Sequence, residues 1–149
     1  MKYLKTFEKL FESSEFDSWF AGSKVVDNVG NPLVVYHGSQ TELEDFHDGA
    51  YFTPDYDNAD GYAGGEYVYE VYLSITKPLI IDAKGRKWDD LKTPYGSSTQ
   101  EIVGKLDVVR YDGVIFNNIK DSWIDDEDYQ DPSTIYYVVK STQIRSTEE

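Results

Sequence analysis

The chain has 149 residues, 40% of them apolar, which is the size of one ordinary domain with a single core. Its 28 acidic residues against 14 Lys and Arg give a net charge of -14, which repels phosphate backbones and argues against sequence-independent nucleic-acid binding. The absence of cysteine excludes disulfides, thiolate zinc sites and a thiol nucleophile. No apolar run reaches the roughly 20 residues that span a bilayer, and the N-terminus lacks the apolar region of a secretory signal peptide. We therefore expect a cytosolic protein without a membrane partner.

The start of the chain carries two helical patterns. Apolar residues recur at helical spacing among Lys and Glu: Leu4, Phe7, Leu10 and Phe11. Ser13 and Ser14 interrupt this pattern and can cap a second helix, which carries three aromatic residues and ends near Gly22. We therefore predict an N-terminal amphipathic helix within residues 1–15 and a domain over 16–149.

After Gly22 the pattern changes to short β-strands. Two apolar runs, 24–26 and 33–36, flank a turn rich in Asn, Gly and Pro, which predicts a hairpin. Further strands are predicted at 67–75, 78–81, 114–116 and 135–139, with one helix near 100–106. Runs of strands with a few peripheral helices favour an α+β domain with antiparallel sheets.

Familiar catalytic motifs are missing or incomplete. The only histidines are His37 and His47, so a metal site would depend on carboxylates, and we expect none. The segment 55–61 misses the spacing of a calcium loop. The chain contains neither the nucleophile elbow of serine hydrolases nor a glycine-rich phosphate loop.

Three short stretches carry the functional signal: His37-Gly38-Ser39 ending an apolar run, Tyr51-Phe52 with Tyr62 beyond, and Ile135 to Val139 followed by Gln143-Ile144. Their order resembles the ADP-ribosyltransferases of the diphtheria-toxin and poly(ADP-ribose) polymerase type, whose successive elements carry His-Gly-Ser or His-Gly-Thr, Tyr-Phe, another tyrosine and a third triad residue. With Tyr111-Asp112-Gly113, the wider run looks like the small transferase domains of phages and of polyvalent proteins of mobile elements. The resemblance implies two packed, mainly antiparallel sheets around an NAD cleft.

The resemblance also implies which residues bind NAD: His37, Gly38, Ser39, Tyr51, Phe52 and Tyr62. Tyr51 and Tyr62 would sandwich the cationic nicotinamide ring, where a desolvated cation–π contact contributes about 0.5 to 2 kcal/mol. Gly38 lets its backbone approach and pair with the carboxamide. His37 would hydrogen-bond a ribose hydroxyl, helped by Ser39.

The third triad position departs from the polymerase pattern. Counted back from Gln143, Ile135 stands where polymerase-type enzymes carry a glutamate, so the triad becomes His37, Tyr51 and Ile135. This resembles the mono-ADP-ribosylating members, in which an acidic acceptor is thought to supply the carboxylate. We therefore expect an enzyme that moves one ADP-ribose from NAD to a host macromolecule, most simply a protein, and releases nicotinamide.

Alternatives remain open around this site. One is that a carboxylate from the acidic segment just before, Asp131 or Glu127, reaches in; another is that the domain binds NAD without turnover, as a silent or virion structural domain. Ala59 replaces a serine that contacts the carboxamide in polymerase-type enzymes, which implies weaker NAD affinity. An acidic mimic of DNA is a further alternative, based on the net charge alone.

Two segments bear on partners and location. The acidic loop Asp121–Asp131 lies where such enzymes meet their protein target, which would favour a basic partner surface, although a solvated loop is an equal alternative. Leu10-Phe11-Glu12 before Ser13 resembles the cleavage signal of capsid-targeting peptides in T4-like phages. This would carry the enzyme in a bacteriophage head into the host cytoplasm; a helix packed on the domain is the alternative.

Overall fold

The computed structural model describes residues 14–63, 66–120 and 131–147. Residues 14–20 are helical and form α1. The other elements, in chain order, are β1 (Val35–Ser39), β2 (Ala50–Phe52), α2 (Tyr56–Ala63), β3 (Tyr67–Leu73), β4 (Pro78–Asp82), α3 (Thr99–Gly104), β5 (Gly113–Ile119), β6 (Ser133–Val138), a 3-10 turn (Ser141–Gln143) and β7 (Ile144–Ser146). The amphipathic helix predicted within 1–15 falls almost wholly outside the described residues.

The strands form two sheets. A three-stranded antiparallel sheet has the order β1-β3-β7, and a four-stranded sheet has the order β2-β6-β5-β4. In the second sheet only the β4–β5 pair is parallel. The α+β class with two packed, mainly antiparallel sheets is therefore confirmed.

The central strands of the four-stranded sheet are covered on both faces, and alternate side chains enter two different cores. One core lies against the three-stranded sheet and includes these residues: Val35, Phe52, Val71, Leu73, Ile115, Tyr136 and Val138. The other core lies under α3 and the segment that precedes it: Leu79, Ile81, Leu91, Ile102, Val114, Phe116 and Ile135. The two cores together hold the strands that carry the site described below.

Gly113 allows the start of β5 to lie close to β6. A Cβ at this position would lie 2.5 Å from the carbonyl oxygen of Tyr137 and 3.0 Å from Cγ2 of Ile75. No real Cβ tolerates the first distance, since a backbone oxygen cannot move aside without separating the strands. The glycine of the Asp-Gly pair is thus required by packing.

Asp112 and Gln143 fasten the turns at this end of the sheets. The Asp112 carboxylate accepts hydrogen bonds from the backbone N–H groups of Thr76 (2.9 Å) and Lys77 (2.8 Å). The Gln143 side-chain amide donates to the carbonyls of Ser74 (2.9 Å) and Asp112 (2.8 Å). These two residues, which carry part of the sequence resemblance, therefore stabilise the fold and lie outside the candidate site.

Helix α1 packs on the outer face of the three-stranded sheet through its aromatic residues. The ring of Phe16 meets Tyr72 of β3 edge-on at 5.3 Å, and Trp19 lies under the guanidinium of Arg145 of β7 at 4.9 Å. Such a cation–π pair contributes about 0.5 to 1 kcal/mol at a partly exposed site. None of the described helices has the length and apolarity needed to cross a bilayer.

Candidate active site

The two sheets touch where β1 and β2 run together for a single pair of residues. Tyr36 N–H donates to Thr53 O at 2.7 Å, and Thr53 N–H donates to Tyr36 O at 2.9 Å. Beyond this bridge β1 continues in one sheet and β2 belongs to the other, so the two strands separate. We call the resulting gap, formed by His37, Gly38 and Tyr51, the β1–β2 notch.

The imidazole of His37 links the two strands across the notch. Its Nδ1 lies 2.7 Å from the backbone carbonyl oxygen of Tyr51. A carbonyl oxygen only accepts hydrogen bonds, so Nδ1 carries the hydrogen and donates it. In the neutral ring Nε2 is then left as an acceptor, with its lone pair available for a hydroxyl group.

The backbone of Gly38 faces the open side of the notch. In an antiparallel ladder both polar groups of one residue point to the same edge, and successive residues point to opposite edges. Tyr36 bonds Thr53, so the N–H and C=O of Gly38 point to that same edge, away from β3. Among the residues that the structure describes, none forms a backbone bond with Gly38 there.

Phe52 and Tyr51 lie on opposite faces of β2. Phe52 is buried between the sheets, and its ring lies 5.4 Å from that of His37. Phe52 therefore packs against the imidazole from the interior between the two sheets. Whether NAD also touches Phe52 stays a prediction.

The Tyr51 ring lies on the other face, beside Tyr137, the residue opposite it on β6. The two ring centroids are 5.1 Å apart. Burial raises the pKa of Tyr51 to about 12, the neighbouring Tyr137 adds to the rise, and a hydrogen bond with the Thr99 side chain opposes it. The phenol is therefore neutral at physiological pH and acts as a hydrogen-bonding and stacking group.

Ile135 is buried on β6, two residues before Tyr137 and hence on the same face. Only 4% of its surface is exposed, and its neighbour across the ladder is Phe116. An aliphatic side chain in this core provides no hydrogen bond or charge. Asp131 is exposed two residues before the start of β6, whereas Glu127 and the rest of the acidic segment 121–130 lie outside the described residues.

The remaining predicted residues lie around the notch in different ways. The Ser39 hydroxyl donates to Thr41 O at 2.7 Å and accepts from Thr41 N–H at 3.2 Å, so it is engaged in a local turn. Ala59 is buried on α2. The backbone of Tyr62 belongs to the last turn of α2, which packs against β1, but the Tyr62 side chain lies outside the described part of the structure.

Comparison with known families decides the identity of this fold. A family model described as ADP-ribosyltransferase in polyvalent proteins matches residues 27–149. The chain belongs to this family. The predicted membership of the ADP-ribosyltransferase superfamily is therefore confirmed. Members of the family transfer ADP-ribose, for which NAD is the donor. No curated protein matches the chain.

The loop that connects the two strands of the notch is acidic. None of the chain's Lys or Arg residues lies between Lys24 and Lys77, the stretch that supplies β1, β2, α2 and β3. The loop between β1 and β2 instead exposes four carboxylates: Glu42, Glu44, Asp45 and Asp48. Within the described ranges, no three His, Cys, Asp or Glu side chains come together as a metal site would need.

Sequence reasoning missed three residues that pack around the candidate site. Phe46 packs against His37, Tyr69 holds the loop that carries Phe46, and Tyr137 lies beside Tyr51. Phe46 did leave a signal, because it is one of two apolar residues in the polar segment 40–49. Tyr69 and Tyr137 lie in strands, where alternation alone does not separate a site residue from a core residue.

Proposed function

We propose that this protein is an NAD-dependent mono-ADP-ribosyltransferase whose donor site is the β1–β2 notch. The observation that carries the proposal is the pairing of an open backbone edge at Gly38 with an imidazole held by Tyr51 O. A carboxamide carries an NH2 group that donates and a carbonyl oxygen that accepts, which match the C=O and N–H of Gly38. Because glycine has no side chain, a flat ring can approach this edge closely.

His37 would bind the ribose next to the nicotinamide. Its Nδ1 is already used by Tyr51 O, so Nε2 accepts a hydrogen bond from a ribose hydroxyl. The His37 contact holds the ribose and the Gly38 contacts hold the nicotinamide, so the groups on both sides of the bond that breaks between them are fixed. Such positioning lowers the entropic part of the barrier without any proton transfer by the imidazole.

In the proposed reaction the bond between ribose C1′ and the nicotinamide nitrogen breaks. Both bonding electrons go to that nitrogen, so nicotinamide leaves as a neutral molecule and C1′ becomes an oxocarbenium-like cation. An oxygen of the acceptor's ionised carboxylate then bonds to C1′. Its negative charge neutralises the cation, and no proton is released. One ADP-ribose is transferred for each NAD consumed.

The side chain of Ile135 explains why we propose a single transfer. A glutamate would contribute a charged hydrogen bond of about 1.5 to 3 kcal/mol, equivalent to roughly ten-fold to more than a hundred-fold in rate. Isoleucine contributes none of this, and we propose that the acceptor supplies the carboxylate. A hydroxyl of bound ADP-ribose has no carboxylate, which disfavours elongation into a polymer.

The acceptor is proposed to be a host protein with a basic surface. The exposed carboxylates of the β1–β2 loop and the acidic segment Asp121–Asp131 would attract such a partner and accelerate its encounter. Because salt screens this attraction, modification of the target should weaken steeply as salt is raised.

We further propose that the enzyme acts in the host cytoplasm after delivery in a phage head.

The test is to incubate the protein with NAD and host lysate and to measure free nicotinamide and protein-bound ADP-ribose. We expect both products from the wild type, a large loss in His37→Ala, and unchanged activity in the matched control His47→Ala, which alters an exposed histidine. NAD binding without nicotinamide release would instead favour the silent NAD-binding domain, the second candidate raised by Ile135. If the protein neither binds NAD nor releases nicotinamide, both candidate functions are refuted.

A further inference from the structure

We propose that Phe46 is a positioning residue that keeps the His37 imidazole in its notch orientation, with Nδ1 bound to Tyr51 O and Nε2 available for ribose. This inference rests on the proposed function for its catalytic consequence. Its structural part concerns the ring of His37 alone. The contacts of Phe46 and the loop that holds it support this role.

Phe46 contacts the imidazole directly. Its ring centroid lies 5.4 Å from that of His37, with the two planes at 84°, which is an edge-on arrangement. The same ring lies 5.7 Å from Phe52 and 5.7 Å from Tyr69. With Phe52 also 5.4 Å from His37, the three ring centroids form a nearly equilateral triangle.

The loop that carries Phe46 is fastened on both sides of it. Leu43 N–H donates to the Tyr69 hydroxyl at 2.7 Å, three residues before Phe46. Asp48 Oδ1 accepts from Ser141 N–H at 2.8 Å, two residues after it. That hydrogen bond is the main reason why the pKa of Asp48 is lowered. The ring is thus held by a fixed loop.

This packing matters because the outer torsion of histidine is broad and roughly two-fold. A rotation of half a turn would exchange Nδ1 with a carbon and break the bond to Tyr51 O. The edge-on Phe46 ring and the neighbouring Phe52 ring, each 5.4 Å from the imidazole, leave little room for that rotation. A smaller residue at position 46 would allow the imidazole to turn and solvent to compete for Nδ1.

The experiment measures the exchange of the ring N–H protons of the two histidines by nitrogen NMR. In the wild type we expect the Nδ1–H of His37 to exchange slowly with solvent and the ring N–H of exposed His47 to exchange freely. The variant His47→Gln assigns the two sets of signals. In Phe46→Leu we expect the His37 Nδ1–H to lose its protection. The matched control Phe16→Leu, in α1 on the outer face of the three-stranded sheet, should leave it intact.

Activity gives a second readout. If the proposed function holds, kcat for nicotinamide release should fall roughly ten-fold in Phe46→Leu, the equivalent of one lost hydrogen bond. KM for NAD should change much less, because the Gly38 contacts remain. An unaltered His37 Nδ1–H signal in Phe46→Leu would overturn the positioning role even in an active enzyme. An inactive wild type with the expected NMR change would refute the proposed function and leave the positioning role supported.

Tyr69→Phe covers the case in which Phe46→Leu does not fold. This variant keeps every ring and removes only the hydroxyl that accepts from Leu43 N–H. We expect faster exchange of the His37 Nδ1–H, since the loop is then released at one side. Exchange at the wild-type rate would contradict the proposal.

Discussion

Replacing Ile135 by glutamate restores the residue type of the polymerase triad and tests what this position tolerates. Ile135 is only 4% exposed and packs in a core with Phe116 and Val114. We expect Ile135→Glu to destabilise the fold and to create no polymerase. The matched control is Ile80→Glu, the same substitution at an isoleucine of β4 that is 61% exposed.

The magnitude follows from burial. Loss of a buried isoleucine side chain removes about 1.5 to 3 kcal/mol of apolar transfer energy, and an unsatisfied buried polar group costs about 1 to 3 kcal/mol more. The expected loss of about 2.5 to 6 kcal/mol is a large part of the roughly 5 to 15 kcal/mol that stabilises a domain. At exposed Ile80 the same change should stay within about 0.5 kcal/mol.

The pH dependence gives this prediction a sign. Burial raises the folded-state pKa of a carboxyl above its unfolded value of about 4.3. The folded state then holds the proton more tightly, so the penalty is smallest below that unfolded value and grows as pH rises. Denaturant unfolding of Ile135→Glu against neutral Ile135→Gln should show the gap widening toward neutral pH. Wild-type stability of Ile135→Glu at neutral pH would refute the burial argument.

Two further substitutions test the packing around the site. Gly113→Ala should lower the free energy of unfolding by several kcal/mol, because its Cβ would lie 2.5 Å from Tyr137 O. The control Gly104→Ala meets nothing within 4 Å and should be neutral or stabilising by up to about 1 kcal/mol. Thermal unfolding of the two variants measures the difference. Tyr51→Phe should gain stability relative to wild type as pH rises from about 10 to about 12, since the folded pKa of Tyr51 is raised to about 12 and the unfolded chain ionises first. A rise of the Tyr51 pKa from 10.0 to about 12 corresponds to about 2.7 kcal/mol, and partial exposure of the ring reduces the expected gain to about 1 kcal/mol. Tyr95→Phe, at an exposed ring, is the control, and equal alkaline curves for both variants would contradict the burial of Tyr51.

Much of the fold follows from local pattern. The strands predicted near 67–75, 78–81 and 135–139 and the helix near 100–106 are present within a few residues of their predicted bounds, because apolar runs and alternation mark them. The hairpin predicted at 24–36 is much shorter in the structure, where its arms meet in a single bridge between Val26 and Pro32. Pro32 has no N–H to donate, which limits the ladder at that point.

Helix α2 shows the limit of pattern. Its sequence, Tyr-Asp-Asn-Ala-Asp-Gly-Tyr-Ala, is rich in residues with low helix propensity, so only the family resemblance implied a helix there. The helix forms because it packs against β1 and β3. Tertiary contact outweighs local preference at this point.

The candidate site was predictable by residue but not by arrangement. Motif order named His37, Gly38 and Tyr51, and the structure brings them together at the β1–β2 notch. Sequence could not show that Tyr51 meets His37 through its backbone, since this depends on where two sheets diverge. It also could not separate Phe46 from an ordinary loop residue, because its partners lie in β1, β2 and β3.

The most direct test of the central claim is the intact mass of the modified target after incubation with NAD. We expect additions of single ADP-ribose units, accompanied by equal amounts of released nicotinamide, lost in His37→Ala and retained in His47→Ala. Ladders of many units on one acceptor residue, or full modification by His37→Ala, would contradict transfer of a single ADP-ribose from the β1–β2 notch.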